Sequence, residues 1–83
     1  MKRGDLVLVE VGGYMNYSVP AWRTVPTKYM QFSNVKDSLF RVPDNTIGMY
    51  IESSKLGKDV FHLVLFSSHG LGWIHEDRLV KIA

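Results

Sequence analysis

Three histidines, two serines and three carboxylates crowd into the last third of the chain, and they are the residues that would carry reaction chemistry. Ser67, Ser68 and His69 stand together, His62 precedes them, and His75 is followed at once by Glu76 and Asp77. A metal centre needs imidazoles and carboxylates at ligand spacing, such as two histidines four apart on a helix or closely paired ligands. His62, His69 and His75 show neither pattern, so no metal is expected. A serine hydrolase needs its nucleophile on a sharp elbow with glycines beside it for an oxyanion hole. Ser67-Ser68-His69-Gly70 instead has the composition of a hairpin turn. The chain has no cysteine, which removes thiolate nucleophiles, disulfides and thiolate metal sites and fits a reducing compartment. A domain this small also lacks the enclosed pocket that catalysis uses. The expectation is a non-enzyme with no catalytic residue, no cofactor and no small-molecule substrate.

Binding is the other chemistry on offer, and its residues lie in the middle of the chain. Tyr14, Tyr17, Trp22, Tyr29, Phe32 and Phe40 are six of the ten aromatic residues, and Arg23, Lys28, Lys36 and Arg41 are interleaved with them. Asp37 is the one acid between residues 12 and 43, which leaves that stretch at +3, against zero for 1–11 and −1 for 44–83. Aromatics that stack on bases and cations that meet phosphates make a nucleic-acid platform, here Arg23, Lys28, Lys36 and Arg41. A plainer reading is that a long insertion buries aromatics to stay ordered while its charges face water. Between those two lies a protein-binding face, because a tryptophan and an arginine beside prolines, as in Val19-Pro20-Ala21-Trp22-Arg23, are residue types enriched at interface hot spots. Its expected members are Tyr14, Tyr17, Trp22, Arg23 and Tyr29, with Trp73 as the floor of a groove between the long loop and the Ser53–Asp59 turn, extended by Tyr50 and His62 on the outward faces of adjacent strands. Trp73 has a structural alternative, capping the barrel end with its indole N–H on a carbonyl.

The elements that must position these residues are short strands. With 83 residues there is room for one domain, residues 1–83, and a chain of that length buries roughly 60–65% of its unfolded surface. The hydrophobic share of 46% against 22% charged is that of a folded domain. Asp5 to Val11 reads as the first strand, with Leu6 and Leu8 on one face and Val7 and Val9 on the other. Apolar character on both faces suggests cover by the core on one side and by the following segment on the other. Residues 12–44 form a long insertion punctuated by Pro20, Pro26 and Pro43. Within it, Lys28 to Ser33 has the makings of a strand, and Ser33 or Asn34 of the cap of a single helical turn. Asp44-Asn45 is a turn signal, after which Thr46 to Glu52 alternates, with Ile47, Met49 and Ile51 expected inward and Gly48, Tyr50 and Glu52 outward. Ser53 to Asp59 reads as a polar turn around Gly57, and Val60 to Phe66 as the central strand with His62 pointing out. Ser67 to Gly70 makes a hairpin with Gly70 at positive φ, Leu71 to His75 returns, and Leu79 to Ile82 closes the chain after a sideways step. The fold class expected is all-β: a small antiparallel barrel or half-open roll of about five strands with a long insertion after the first.

In that order of parts the chain resembles the SH3-like barrels. Gly4-Asp5 before an apolar strand is similar to the opening of small bacterial and phage barrels, and Ile47-Gly48-Met49-Tyr50-Ile51-Glu52 to their returning strand. Gly72-Trp73-Ile74-His75-Glu76-Asp77-Arg78-Leu79 resembles the end of eukaryotic-type SH3 domains, where a 3₁₀ turn leads into the last strand. The likeness covers residues 4–12 and 46–82. Only Trp73 matches the aromatic wall that grips proline-rich ligands in those domains, and His75, Asp77 and Arg78 stand where they carry Pro, Asn and Tyr. A second resemblance is to the nucleic-acid-binding KOW barrels, with Gly12-Gly13 in place of their close-approach glycine. The general look is similar to small proteins of tailed phages. The resemblance and the residues together imply a protein-interaction or assembly module, possible partners being another protein or a second copy, with a small nucleic-acid-binding regulator as the alternative. The basic N-terminus lacks a signal-peptide core and no apolar run reaches the ~20 residues of a membrane span, so a cytoplasmic protein, or part of a virion if phage-encoded, is expected.

Overall fold

The structure, a computed structural model, describes residues 1–10, 18–24 and 39–82. The strand expected over 28–33, the helical turn from Ser33 or Asn34, and Tyr14, Tyr17, Lys28, Tyr29 and Lys36 lie outside the described residues. The strands are β1 Leu6–Val9, β2 Ser18–Trp22, β3 Leu39–Pro43, β4 Ile47–Leu56, β5 Asp59–Phe66, β6 Gly70–His75 and β7 Leu79–Lys81. A 3₁₀ turn at Glu76–Arg78 joins β6 to β7. All seven strands form one antiparallel sheet in the order β3-β2-β6-β5-β4-β1-β7, curled into a half-barrel.

The fold is all-β as expected, but it has seven described strands rather than five. The additional two come from the insertion, where β2 pairs with β3 from Ser18↔Pro43 to Trp22↔Leu39. Prolines read as strand breakers from sequence, yet both fall where a missing N–H does little harm. Pro43 ends β3. Pro20 lies in the part of β2 that pairs only with β3, since β2 meets β6 in register at Trp22↔Trp73 alone. Arg41 clamps the hairpin by donating from Nε to Ser18 Oγ at 2.9 Å and from Nη2 to the Ser18 carbonyl at 3.1 Å.

One face of the sheet encloses the core. Val7, Val9, Val19, Ala21, Val42, Tyr50, Val64, Phe66, Ile74 and Leu79 pack together there, with Phe40 against them. The alternation of β4 runs opposite to expectation: Gly48 and Tyr50 face in, while Ile47 and Met49 face out. Hydrophobicity favours the isoleucines for the interior, but volume decides otherwise. A Cβ on Gly48 would collide with Val64 and stand 2.9 Å from Phe66 Cδ1, so β4 contributes empty space to the core just where β5 contributes bulk. A bulge between Tyr50 and Glu52 then inserts Ile51 as an extra residue and resets the register. His62 shares the parity of Val64 and Phe66 and is therefore buried, not outward.

The turns follow their local chemistry. Asn45 (φ 67°) and Gly57 (φ 62°) supply the left-handed residues of two turns, and Gly70 (φ 79°) ends the β5–β6 hairpin as expected. Strands β4 and β5 run further than the sequence suggests, through Leu56 and from Asp59, which leaves only Gly57-Lys58 between them. Asp5 accepts from the Lys2 amide at 2.8 Å and faces Lys81 Nζ at 3.5 Å, fastening the chain start to β7. No helix among the described residues is long and apolar enough to cross a membrane.

Candidate functional site: the outer face of the sheet

The opposite face of the sheet is also apolar, and much of it meets water. Side chains directly opposite one another on antiparallel strands share a face. Register therefore sets Leu71 beside Leu65, Leu65 beside Met49, and Met49 beside Leu6, a row across β6, β5, β4 and β1. Their exposures are 48%, 43%, 39% and 39% in that order. A second row joins Ile47, Leu8 and Val80 on β4, β1 and β7, and Ile82 extends the first row past Leu6, whose carbonyl accepts the Ile82 amide at 3.0 Å. The core covers the face of β1 that carries Val7 and Val9, while Leu6 on the other face is 39% exposed; the following segment expected to cover one face lies outside the described residues. None of these positions carries a charge. On β4 the uncharged stretch ends past the bulge at Glu52, opposite Leu63.

Toward β2 the same face turns aromatic. Trp22 lies opposite Trp73, and its ring meets Phe61 edge-on with centroids 5.6 Å apart. Phe61 in turn meets His75 edge-on at 5.2 Å. Phe61 and Trp73 are buried, yet they stand outside the core cluster on the other side of the sheet. Trp22 is half-buried, so the aromatic end is closed except at that edge. On the core side of the same strands, Arg23 lies 4.7 Å above the Phe40 ring, and Phe40 stacks on His69 at 5.9 Å and 13°.

The polar end of β5 and β6 forms a small network. The Asp77 amide donates to His75 Nδ1 at 3.2 Å, so in the neutral ring Nε2 carries the proton and donates to Asp59 Oδ1 at 3.1 Å. His75 thus caps the 3₁₀ turn and ties it to the start of β5. The carboxylates of Asp59 and Asp77 approach opposite edges of that ring and do not converge, and no group of three histidines or acids among the described residues is placed to hold a metal ion. His62 lies edge-on to Tyr50 at 5.3 Å with Nε2 3.8 Å from Glu76 Oε2, and its buried Nδ1 has no hydrogen-bond partner among the described residues. Burial pushes the His62 imidazole below its ordinary pKa of 6.5, against the opposing pull of Glu76. Ser68 Oγ sits 2.9 Å from His69 Nδ1 within the hairpin turn.

Of the expected interface residues, the structure brings Trp22 and Trp73 together on the outer face, while Arg23 covers Phe40 on the opposite, core side of the sheet. Tyr50 faces the core from β4, at 7% exposure, so it and His62 cannot extend an outward surface. Arg41 is spent on Ser18, and Arg23 covers Phe40. The residues that sequence reasoning missed are Phe61 and the aliphatic row. Their signal was present: β1 and β5 are apolar at both parities, which a one-sided sheet does not need. No protein-family model matches the chain, no curated protein matches it, and no solved structure matches it.

Proposed function

We propose that the chain is a non-catalytic protein-interaction or assembly module of the SH3-like barrel type that docks through the outer face of its sheet. The observation that carries this reading is the uncharged row Leu71, Leu65, Met49 and Leu6, each about two-fifths to one-half exposed and continuous across four strands. Single exposed aliphatics are ordinary on a soluble domain, whereas contiguous apolar patches are the material of docking sites, which favours this reading. Trp22 sits at the margin of that face, half-buried against Phe61, and supplies the aromatic anchor that interfaces favour. The SH3-like reading draws support from the 3₁₀ turn at Glu76–Arg78, which falls between the Gly72-Trp73-Ile74 strand and the last strand as the resemblance implies.

The test uses two methionines. Met1 and Met49 are exposed to 48% and 39%, so dilute purified protein should convert both to sulfoxide at similar rates under peroxide. With a partner on the outer face, in extract of the cells that make the protein, Met49 should be shielded while Met1 stays reactive. Equal oxidation of both in extract would overturn the reading.

A further inference from the structure

We infer that the 3₁₀ turn at Glu76–Arg78 is a pH-sensitive latch on β7, with His75 as its trigger. The latch does not depend on the outer face being a docking surface. Three observations carry it.

The bond that caps the turn exists only with a neutral imidazole. The Asp77 amide donates to His75 Nδ1 at 3.2 Å, while Nε2 donates to Asp59 Oδ1 at 3.1 Å. A protonated ring carries N–H at both nitrogens and accepts nothing. Acid therefore keeps the Asp59 contact and ends the cap.

A replacement partner stands beside the same nitrogen. Asp77 Oδ2 lies 3.6 Å from His75 Nδ1. Closing that gap to the ~2.8 Å of a charge-assisted bond draws the carboxylate in, and the Asp77 amide, now facing an N–H, must turn away. Among the described residues, Asp59 from β5 and Asp77 from the turn are the charged groups facing His75, and Phe61 offers only its ring edge. Glu76 faces His62 instead, on the core side of β5, where Tyr50 and the amino terminus are the other titratable groups near that ring. Arg78 is the cation of the turn's last position.

The turn leads directly into a short edge strand. Among the described strands β7, with three residues, pairs with β1 alone. Its entry is tied to the turn, since the Leu79 amide donates to the Glu76 carbonyl and the Glu10 amide to the Arg78 carbonyl at 2.9 Å. Leu79 is also the residue of β7 that reaches the core. Rewinding the turn at Asp77 displaces Leu79 and loosens β7 from β1.

Nuclear magnetic resonance of the ¹⁵N-labelled chain from pH 8 to pH 5 tests the latch. The Asp77 amide proton should move upfield with the same midpoint as the His75 ring resonances. Protection of the Leu79 and Ile82 amides, bonded to the Glu76 and Leu6 carbonyls, should fall about tenfold more than that of Val64 on β5. His75→Gln should abolish both responses, and His62→Gln should leave both in place. An Asp77 amide that stays still while the His75 ring titrates, or that follows the His62 ring, would overturn the inference. So would Leu79 and Ile82 protection that falls in step with Val64, or a response that persists in His75→Gln. Should His75→Gln fail to fold, the midpoints and protection in the native chain decide.

Discussion

Met49 stands directly opposite Leu65 on the water-facing side of β4 and β5, while Gly48 and Phe66, one residue along each strand, meet on the core side. The two pairs show how this sheet divides its apolar residues. The core takes one parity of each strand and is filled by Phe66 over a glycine. On the other parity, Leu6, Met49, Leu65 and Leu71 form an apolar row that meets water, while Phe61 and Trp73 are buried.

Gly48 should tolerate no side chain. Gly48→Ala places a methyl against Val64 and Phe66 and is expected to lower stability by about 1–3 kcal/mol in urea unfolding. Leu65→Ser, on the open side of the same strand pair, should cost the monomer less than about 1 kcal/mol. Similar losses at both sites would mean that the two faces are not divided in this way.

The β2–β3 hairpin depends on Arg41. Arg41→Ala removes both hydrogen bonds to Ser18 and should destabilise the protein by roughly 0.5–1.5 kcal/mol, with faster amide exchange confined to β2 and β3. Exchange that quickens evenly across the sheet would contradict a local clamp.

These two sites also show what the sequence could and could not disclose. The turns at Asp44-Asn45 and Ser67–Gly70 and the step at Glu76–Arg78 were readable because they depend on local residue chemistry. The direction of β4 was not. Its apolar residues fall on the parity that faces water, and it is the bulk of Val64 and Phe66, distant in sequence, that fits Gly48 facing in. Tyr50 and His62 were misplaced for the same reason, since polarity suggested outward where parity with Gly48 and Val64 demanded inward. Strands β2 and β3 were hidden by their prolines, which are harmless only at the edge positions that tertiary pairing creates. The outer apolar face was half legible, as strands apolar at both parities, but the row itself exists only once register is known.

Acid should weaken the fold through His62. Its pKa is lower in the folded state than the ordinary 6.5, so the unfolded chain binds more protons as the solution acidifies. The stability involved is fully present above pH 6.5 and is lost as pH falls through 6.5 toward the lower folded-state value. Thermal melts from pH 8 to pH 5 should show a falling Tm that flattens in His62→Gln, a side chain that does not titrate. A Tm that rises on acidification over that range would contradict the burial argument.

Nucleic acid should not bind the outer face, which carries no cation along its rows. Titration with short single- and double-stranded DNA and RNA at low salt is expected to leave the fluorescence of Trp22 and Trp73 unchanged. Micromolar binding that collapses with added salt, and that weakens in Arg23→Ala, would favour a nucleic-acid-binding regulator instead.

The most direct measurement of the central claim is the ratio of Met49 to Met1 sulfoxide formation, followed by mass spectrometry in dilute purified protein and in extract of the producing cells. The account predicts a ratio near one in the dilute sample, because both side chains are open, and a severalfold fall in extract as the outer face is covered. A ratio that stays near one in extract would show the face uncovered where the protein works, and the outer sheet would then be an ordinary exposed surface.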